Sequence, residues 1–507
     1  MDSRNAVNHE HVSIFTFLAL IFVLRILLMI MRCITRGASP AIPPGPFPWP
    51  VIGNFLQVRE DPHIKLSRMA RTYGPIMSLR MGARLVVVGS SVKAAMEILK
   101  THDRVLSGRH LSYTQPASCP KLNQYWIGFA SECNDQWKHL RSICRAGLFS
   151  VKAIERQVEI RERNVVNMVK FLKEREGQLV NMSEVIYNLV FNTMYNILLS
   201  RDVIGFGPDG SGAGPELKEL TKQFLNLIAA TNVADLFPIL HELDIQGMQK
   251  KVRKITEKIF AIWQDIVGER RDQRSKGVGA QEDFLDSLLE IGLSDNHINH
   301  LLLELLLAGT DTTTSTIIWA LADLMKNKDA TSKLRDELTV RIGNKTIHES
   351  ELMDLPFLQA CIKESLRLHP TIPFLLPRRA IQSSKVMDYI IPKGSQVIIN
   401  TWAMACDPSI WDDPSRFIPE RFLDSSLDFR GNDFEYVPFG GGRRMCPGLP
   451  MAARTVPYVV ASLINSFNWF LPGYNDPSEL NMNEMYLLIL RKKQPLQLIP
   501  RVCKKMA

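Results

Sequence analysis

Pro438-Phe439-Gly440-Gly441-Gly442-Arg443-Arg444-Met445-Cys446-Pro447-Gly448 decides how this chain is read. It describes one cysteine on a glycine-padded loop, with Arg444 two residues before it. Glycines let the backbone turn tightly and approach a flat ligand, because no Cβ stands in the way. The prolines limit the loop's freedom at both ends. Neighbouring cations favour thiolate over thiol, and thiolate is the metal-ligating form. A lone thiolate with no second cysteine or histidine nearby suits haem iron, whose porphyrin supplies the remaining in-plane ligands. Zinc would need about four protein ligands. The blander alternative is a turn that happens to bury a cysteine.

The chain has 507 residues, 46% of them hydrophobic, so it can bury a sizeable core. Eight cysteines are scattered without framework spacing, which argues for reduced thiols on the cytosolic side rather than a disulfide scaffold. A net charge of +9 suits an anionic membrane surface or an acidic partner. No recognition motif accompanies that charge, so a nucleic-acid partner is not expected.

Residues Val12 to Met31 form an apolar run broken only by Arg25. Twenty such residues make roughly 30 Å of helix, one bilayer crossing. Arg25 lies near the end of the run, where its side chain can snorkel to the headgroups. Arg32 and Arg36 follow without an acid, which places the body of the chain in the cytosol. A cleaved signal peptide is disfavoured by the length of the run and the lack of a small-residue cleavage site. Next comes Pro43-Pro44-Gly45-Pro46-Phe47-Pro48-Trp49-Pro50, too proline-dense for helix and stiffly extended. The expected organisation is an anchor over 1–36, a hinge over 37–54 and one large domain over 55–507.

Helical periodicity marks Glu155–Glu174, Leu217–Ala230, Gln249–Lys276, Asp295–Lys326 and Glu351–Leu368. Arg84–Val88 and Gln396–Ile399 read as strands. The fold class is mainly α with small β-sheets. Gly205 to Pro215 contains a literal Gly-x-Gly-x-x-Gly, but Pro208 sits inside it and no strand–turn–helix unit surrounds it. It reads as a surface loop rather than a nucleotide site.

The 295–326 helix has a poor helical centre, Ala308-Gly309-Thr310-Asp311-Thr312-Thr313-Thr314-Ser315-Thr316. Ala308, Gly309 and Thr312 share a face. That face offers a small-residue groove beside an alcohol, with the acid Asp311 adjacent. Dioxygen next to a metal fits such a groove, and Thr312 and Asp311 are candidates to route protons to it. Hydroxyls satisfied by their own helix carbonyls are the bland alternative. His297, His300 and Glu304 share a helical spacing, but nothing completes a metal shell around them.

Further along stand Glu364-Ser365-Leu366-Arg367, Pro419-Glu420-Arg421-Phe422 and, earlier, Trp137-Lys138-His139-Leu140-Arg141. Taken alone, Glu364 and Arg367 are an ordinary helical pair worth a few tenths of a kcal/mol. Together with Phe439, Gly442, Arg444, Cys446 and Gly448, these motifs follow one another as in the cytochrome P-450 family, the haem-thiolate monooxygenases. The resemblance spans essentially the whole chain, and no motif position departs from it. The hinge and cysteine loop are similar to the plant microsomal group, in the branch holding geraniol hydroxylases and several alkaloid enzymes.

That resemblance implies the cytochrome P-450 fold and haem b, iron-protoporphyrin IX with Cys446 as its thiolate ligand. It makes Phe439, Gly442 and Gly448 part of the haem loop. Trp137, Arg141, Arg378 and Arg444 become partners of the haem propionates, and Glu364, Arg367 and Arg421 a buried triad bracing the loop. Asp311 and Thr312 become the catalytic acid and alcohol. Substrate contacts would come from Arg104–Ala130, Leu301–Thr310, Thr371–Leu376 and Met485–Ile489, mostly apolar, which implies a lipophilic substrate; Glu304 is placed to meet a protonated amine. The co-substrate is O2. Electrons would come from NADPH only indirectly, through NADPH–cytochrome P-450 reductase, for which Lys138, Arg145 and Arg443 offer a basic face. The implied setting is a single-pass protein of the endoplasmic reticulum membrane. A reductase-independent hydroperoxide isomerase and a non-catalytic haem-binding membrane protein are the rivals. The Asp311-Thr312 pair argues against the isomerase.

Overall fold

The computed structural model describes residues 41–206, 214–277, 281–343, 347–474 and 476–503. The expected anchor (1–36) and the middle of the Gly205–Pro215 loop lie outside them. The fold is organised by the helix Asp295–Lys326, which runs unbroken through its threonine-rich centre. Thr312 Oγ1 donates to Ala308 O (2.7 Å) and Thr316 Oγ1 to Thr312 O (2.9 Å), so these hydroxyls bond the preceding turn instead of competing with it. By composition this helix is apolar enough to cross a membrane, but its apolar window is 67% buried inside the protein. It is a core helix.

Against it lies Met182–Leu199, buried along nearly its whole length. A helix buried on every side has no wet face to betray it in sequence. Each of its fully buried large side chains contributes about 1.5–3 kcal/mol relative to exposure. Gly309 faces this helix rather than the expected groove: a Cβ there would meet Met194 Cε at 2.7 Å. Its missing side chain lets two helices approach, which corrects the expectation that Gly309 opens a path for dioxygen.

Helices Val158–Glu174, Gly214–Ala229, Met248–Ser275 and Asp295–Lys326 stand close to their expected bounds. The expected Glu351–Leu368 helix is shorter. Residues Glu349–Leu352 form a 3-10 turn, and the α-helix starts only at Pro356. Pro356 disfavours helical backbone at Leu355. The Glu337 carboxylate then accepts the free amides of Phe357 (2.8 Å) and Leu358 (2.9 Å).

The largest sheet has five strands, in the spatial order Ile76–Met81, Arg84–Gly89, Gln396–Ile399, Arg378–Arg379 and Gly108–Arg109. Arg84–Gly89 pairs with Gln396–Ile399 in parallel; the other pairs are antiparallel. Smaller sheets form from 180–181, 467–470 and 497–502, from 384–391, and from 484–492. The described part of the hinge is non-helical and packs on the first strand. Ser78 N–H donates to Pro44 O (2.8 Å), and Asn54 Nδ2 donates to Phe47 O (3.1 Å). Among the described residues every cysteine is a free thiol.

Candidate active site

The cysteine loop closes on itself through the Cys446 N–H, which donates to Phe439 O at 3.0 Å. Gly440 and Gly442 hold φ of +69° and +66°, the left-handed region that suits glycine. At Gly442 a Cβ would also strike Leu99 O and lie 2.6 Å from Asp103 Oδ1. Asp103, which the sequence did not single out, clamps the loop. It accepts from Arg443 N–H (3.1 Å) and pairs with Arg443 Nε (3.2 Å) and Arg378 Nη1 (3.3 Å). The helix Leu449–Ser466 begins directly behind Gly448.

Cys446 Sγ opens onto an interior cavity while lying deep beneath the outer surface. Burial pushes its thiol up on balance, with the Gly448 and Leu449 amides and Arg141 pulling the other way; those opposing groups are the ones that favour a thiolate. The cavity measures about 270 Å³. Its walls include Ala308, Thr312 and Thr313 of the central helix, Trp126–Phe129, Thr371, Ile372, Leu375 and Leu376, and Leu488 and Ile489. Phe224, Leu225 and Ile228 add a wall from the 214–229 helix that the sequence reading did not assign. That helix was legible, but any amphipathic face fits a core as well as a pocket. A smaller polar cavity of about 180 Å³ adjoins, sharing Arg109, Phe129, Ile228, Leu376 and Leu488.

Arg109, Arg141, Arg378 and Arg444 all line the main cavity. Arg444 donates to the carbonyls of Ser107 (2.9 Å), Ile127 (3.0 Å) and Ala130 (2.7 Å). Arg109 donates to Gly128 O and Leu376 O, both at 2.8 Å. Arg141 donates to Met445 O (2.6 Å), and its guanidinium lies 5.4 Å from the Trp137 ring centre. Trp137 Nε1 donates to Ile127 O (2.8 Å). Of these four arginines only Arg378 pairs with a carboxylate among the described residues. Burial pushes the Arg444 guanidinium down to about 10 and that of Arg109 well down too, each aggravated by neighbouring arginines. Buried cations left without counter-charge cost several kcal/mol each. An apolar cavity rimmed by such cations, with a thiol at one wall, fits a flat apolar group carrying carboxylates. Haem has that shape and charge.

Thr312 faces the cavity, and Asp311 does not. The Asp311 carboxylate turns to Arg491, with which it forms an ion pair. Burial raises this carboxyl and Arg491 only partly offsets it. Glu304 lies in the cavity wall, 6% exposed, yet its oxygens are already engaged. They accept the amides of Ile127 (2.7 Å), Gly128 (2.7 Å) and Phe129 (3.2 Å). Burial raises this carboxyl to about 7 against the pull of those amides and Arg444. The expectation of a carboxylate waiting for a substrate amine is therefore corrected: three backbone donors hold it. His297 and His300 pack against Tyr125, ring centres 4.6 and 5.1 Å away, and no metal-ligand cluster occurs among the described residues.

Below the cavity Glu364 and Arg367 are 0% and 1% exposed and doubly bonded at 2.7 and 2.9 Å. Arg421 Nε reaches Glu364 Oε1 at 3.0 Å, so the three side chains do meet. Arg367 also donates to Ala405 O (2.6 Å) and Pro414 O (2.9 Å). Tyr436 OH, just before the cysteine loop, donates to Lys363 O at 2.8 Å.

A cysteine opening into an apolar cavity rimmed by four arginines, three of them without a carboxylate partner among the described residues, defines the class of haem-thiolate proteins. The chain belongs to the cytochrome P450 family, whose sequence model matches residues 43–500. It is 44% identical over 492 residues to (S)-N-methylcoclaurine 3'-hydroxylase isozyme 1 of Papaver somniferum, covering 97% of this chain and 98% of that protein. Corytuberine synthase of Coptis japonica is 43% identical over 91% of this chain and 94% of its own length. Geraniol 8-hydroxylase of Catharanthus roseus is 37% identical over 90% and 94%. The chain is a cytochrome P450 monooxygenase that uses haem with a cysteine thiolate ligand and NADPH-derived electrons. Among its relatives are alkaloid hydroxylases and a monoterpenoid hydroxylase.

Proposed function

We propose that this enzyme oxidises an amine-bearing plant alkaloid, by hydroxylation or oxidative rearrangement, in the endoplasmic reticulum membrane. The observation that carries the reading is the 42–46% identity, over more than nine-tenths of the chain, to (S)-N-methylcoclaurine 3'-hydroxylases from three plants. The mostly apolar chamber beside Cys446 supports it. Littorine, a tropane alkaloid, is the finer substrate assignment. The likeness to geraniol 8-hydroxylase favours a monoterpenoid as the second reading.

Haem held by Cys446 would supply dioxygen activation, favoured by the electron density of the thiolate. The chain contributes binding, orientation and protons. Arg109, Arg141, Arg378 and Arg444 would hold the anionic edge of the group. Gly440 of the loop lines the chamber, whereas Gly442 answers to its φ and to Leu99 and Asp103 behind it. Thr312 offers its hydroxyl inside the cavity by releasing Ala308 O. Asp311, its carboxyl raised by burial with Arg491 only partly offsetting it, is the acid placed to pass protons inward from the Arg491 side. The apolar walls exclude bulk water.

Electrons arrive through NADPH–cytochrome P450 reductase, an acidic partner for the exposed Lys138, Arg145 and Arg443. Membrane attachment begins with the expected anchor at 1–36. It is supported by exposed apolar side chains at Phe47 (73%), Trp49 (59%), Ile239 (89%) and Leu243 (67%). These two groups are neighbours, because the turn at Gly82-Ala83 donates to Ile52 O on one side and to Leu236 O on the other. Reductase-containing microsomes should be assayed against tropane, benzylisoquinoline and monoterpenoid panels with product identification. Turnover of an alkaloid is expected; turnover of monoterpenoids alone establishes the second reading.

A further inference from the structure

His297, His300 and Glu304 recur at i, i+3 and i+7 on the central helix, and each meets one short stretch of chain. Tyr125 stacks on His300 and sets its edge to His297. Trp126 packs its edge on His300 at 5.5 Å. The next three amides, of Ile127, Gly128 and Phe129, all end on the Glu304 carboxylate. On the other side of this stretch the carbonyls of Ile127, Gly128 and Ala130 accept from Trp137, Arg109 and Arg444. The stretch is thus strung between one anion and the cations of the haem edge. Its residues Trp126 to Phe129 are also a wall of the chamber.

We propose that Glu304 is a positioning residue which, with His297 and His300, zips residues 125–129 onto the central helix and so fixes the chamber wall that selects substrate. The consequence for selectivity rests on reading this chamber as the substrate site; the zipping itself does not. Gly128 is part of the device, since a Cβ there would lie 2.7 Å from Glu304 Oε1 and displace the carboxylate. A substrate ammonium is not the resident partner of Glu304, because its oxygens are already shared among three amides. In the Glu304→Gln variant an NH2 group would face at least one of those donors, which no rotamer cures.

Hydrogen exchange on the purified haem-loaded protein tests the zipping without any substrate. In the wild type the amides of 127–129 should be protected like those of the central helix. In Glu304→Gln, and again in Gly128→Ala, they should exchange about tenfold faster or more, with the Leu449–Ser466 helix unchanged. Wild-type amides at 127–129 exchanging as fast as those of 112–118 would overturn the proposal, whether or not the variants fold. Folded variants with unaltered exchange would overturn it too. The role in selection is read from optical titration with N,N-dimethyl-3-phenylpropylamine and its neutral isostere 4-methylpentylbenzene. Glu304→Gln should weaken both by a similar factor. A loss confined to the amine would make Glu304 an ammonium site and contradict the assignment. Failure of either probe to bind wild type counts against the chamber as substrate site and leaves the exchange result standing.

Discussion

At the scale of single residues, the chemistry turns on which side chains face the cavity. Thr312 does, and Asp311 reaches it only by leaving Arg491. Thr312→Ala should therefore raise the peroxide released per NADPH consumed by several-fold, measured in a reductase-coupled assay; unchanged coupling removes Thr312 from proton handling. Beneath the cavity, Glu364→Ala would leave Arg367 as a buried cation and take from the half-buried Arg421 its carboxylate. A loss of about 3–5 kcal/mol is expected from urea unfolding, as for other broken buried pairs. The motif residues were legible because each motif is local, a few positions wide. Arg109, Asp103 and Arg491 were not, because their meaning comes from partners far along the chain. Asp311 meets Arg491 across 180 positions, and Arg109 meets Leu376 across 267. No spacing rule connects such pairs. Glu304 shows the converse: its place on the helix stripe was legible, but the amides that occupy it were not.

Elements were legible where they keep one wet face, the largely buried central helix excepted. The long amphipathic helices stood out for that reason, whereas Met182–Leu199 did not, since burial on all sides erases the periodicity. A second feature invisible in sequence ties elements together. His369, at the end of the Pro356–Leu368 helix, sits between Asp323 of the central helix (3.2 Å) and Glu484 of the 484–492 hairpin (3.1 Å). Its ring stacks on Trp319 at 3.8 Å. Burial alone would depress this imidazole, but Asp323 and Glu484 lift it to about 9. Burial raises Glu484 in turn, and His369 with His63 brings it down to about 2. A histidine raised in the folded state stabilises fully below its unfolded value of about 6.5 and loses that contribution as pH rises through the folded value. The stability deficit of His369→Gln relative to wild type should therefore be largest and level between pH of about 4.5 and about 6.5, and shrink as pH climbs toward about 9. A deficit that grows over this range would contradict the clamp. Thermal unfolding at stepped pH measures it.

On the scale of the whole molecule, a core helix, a helix-borne loop and a small sheet converge on one interior chamber. Exposed apolar side chains gather at the hinge and at 239–245. In proteoliposomes carrying brominated acyl chains, Trp49 fluorescence should be quenched, and Trp49→Phe should remove that quenched component. Equal quenching in both proteins would place this face in water. The global architecture was legible through the order of its motifs. The four stretches that the resemblance implied for substrate contacts do each send residues to the chamber, Leu488 and Ile489 among them. The wall at Phe224, Leu225 and Ile228 was not legible, because an amphipathic face fits a core as well as a pocket. The claim on which everything else depends is that Cys446 sulfur ligates haem iron. The optical spectrum of the reduced protein with carbon monoxide tests it most directly. Wild type should give the absorption of a thiolate-ligated iron, and Cys446→His should lose it for that of a nitrogen-ligated one. Wild-type protein purified without haem, or a thiolate-type spectrum surviving in Cys446→His, would contradict the account.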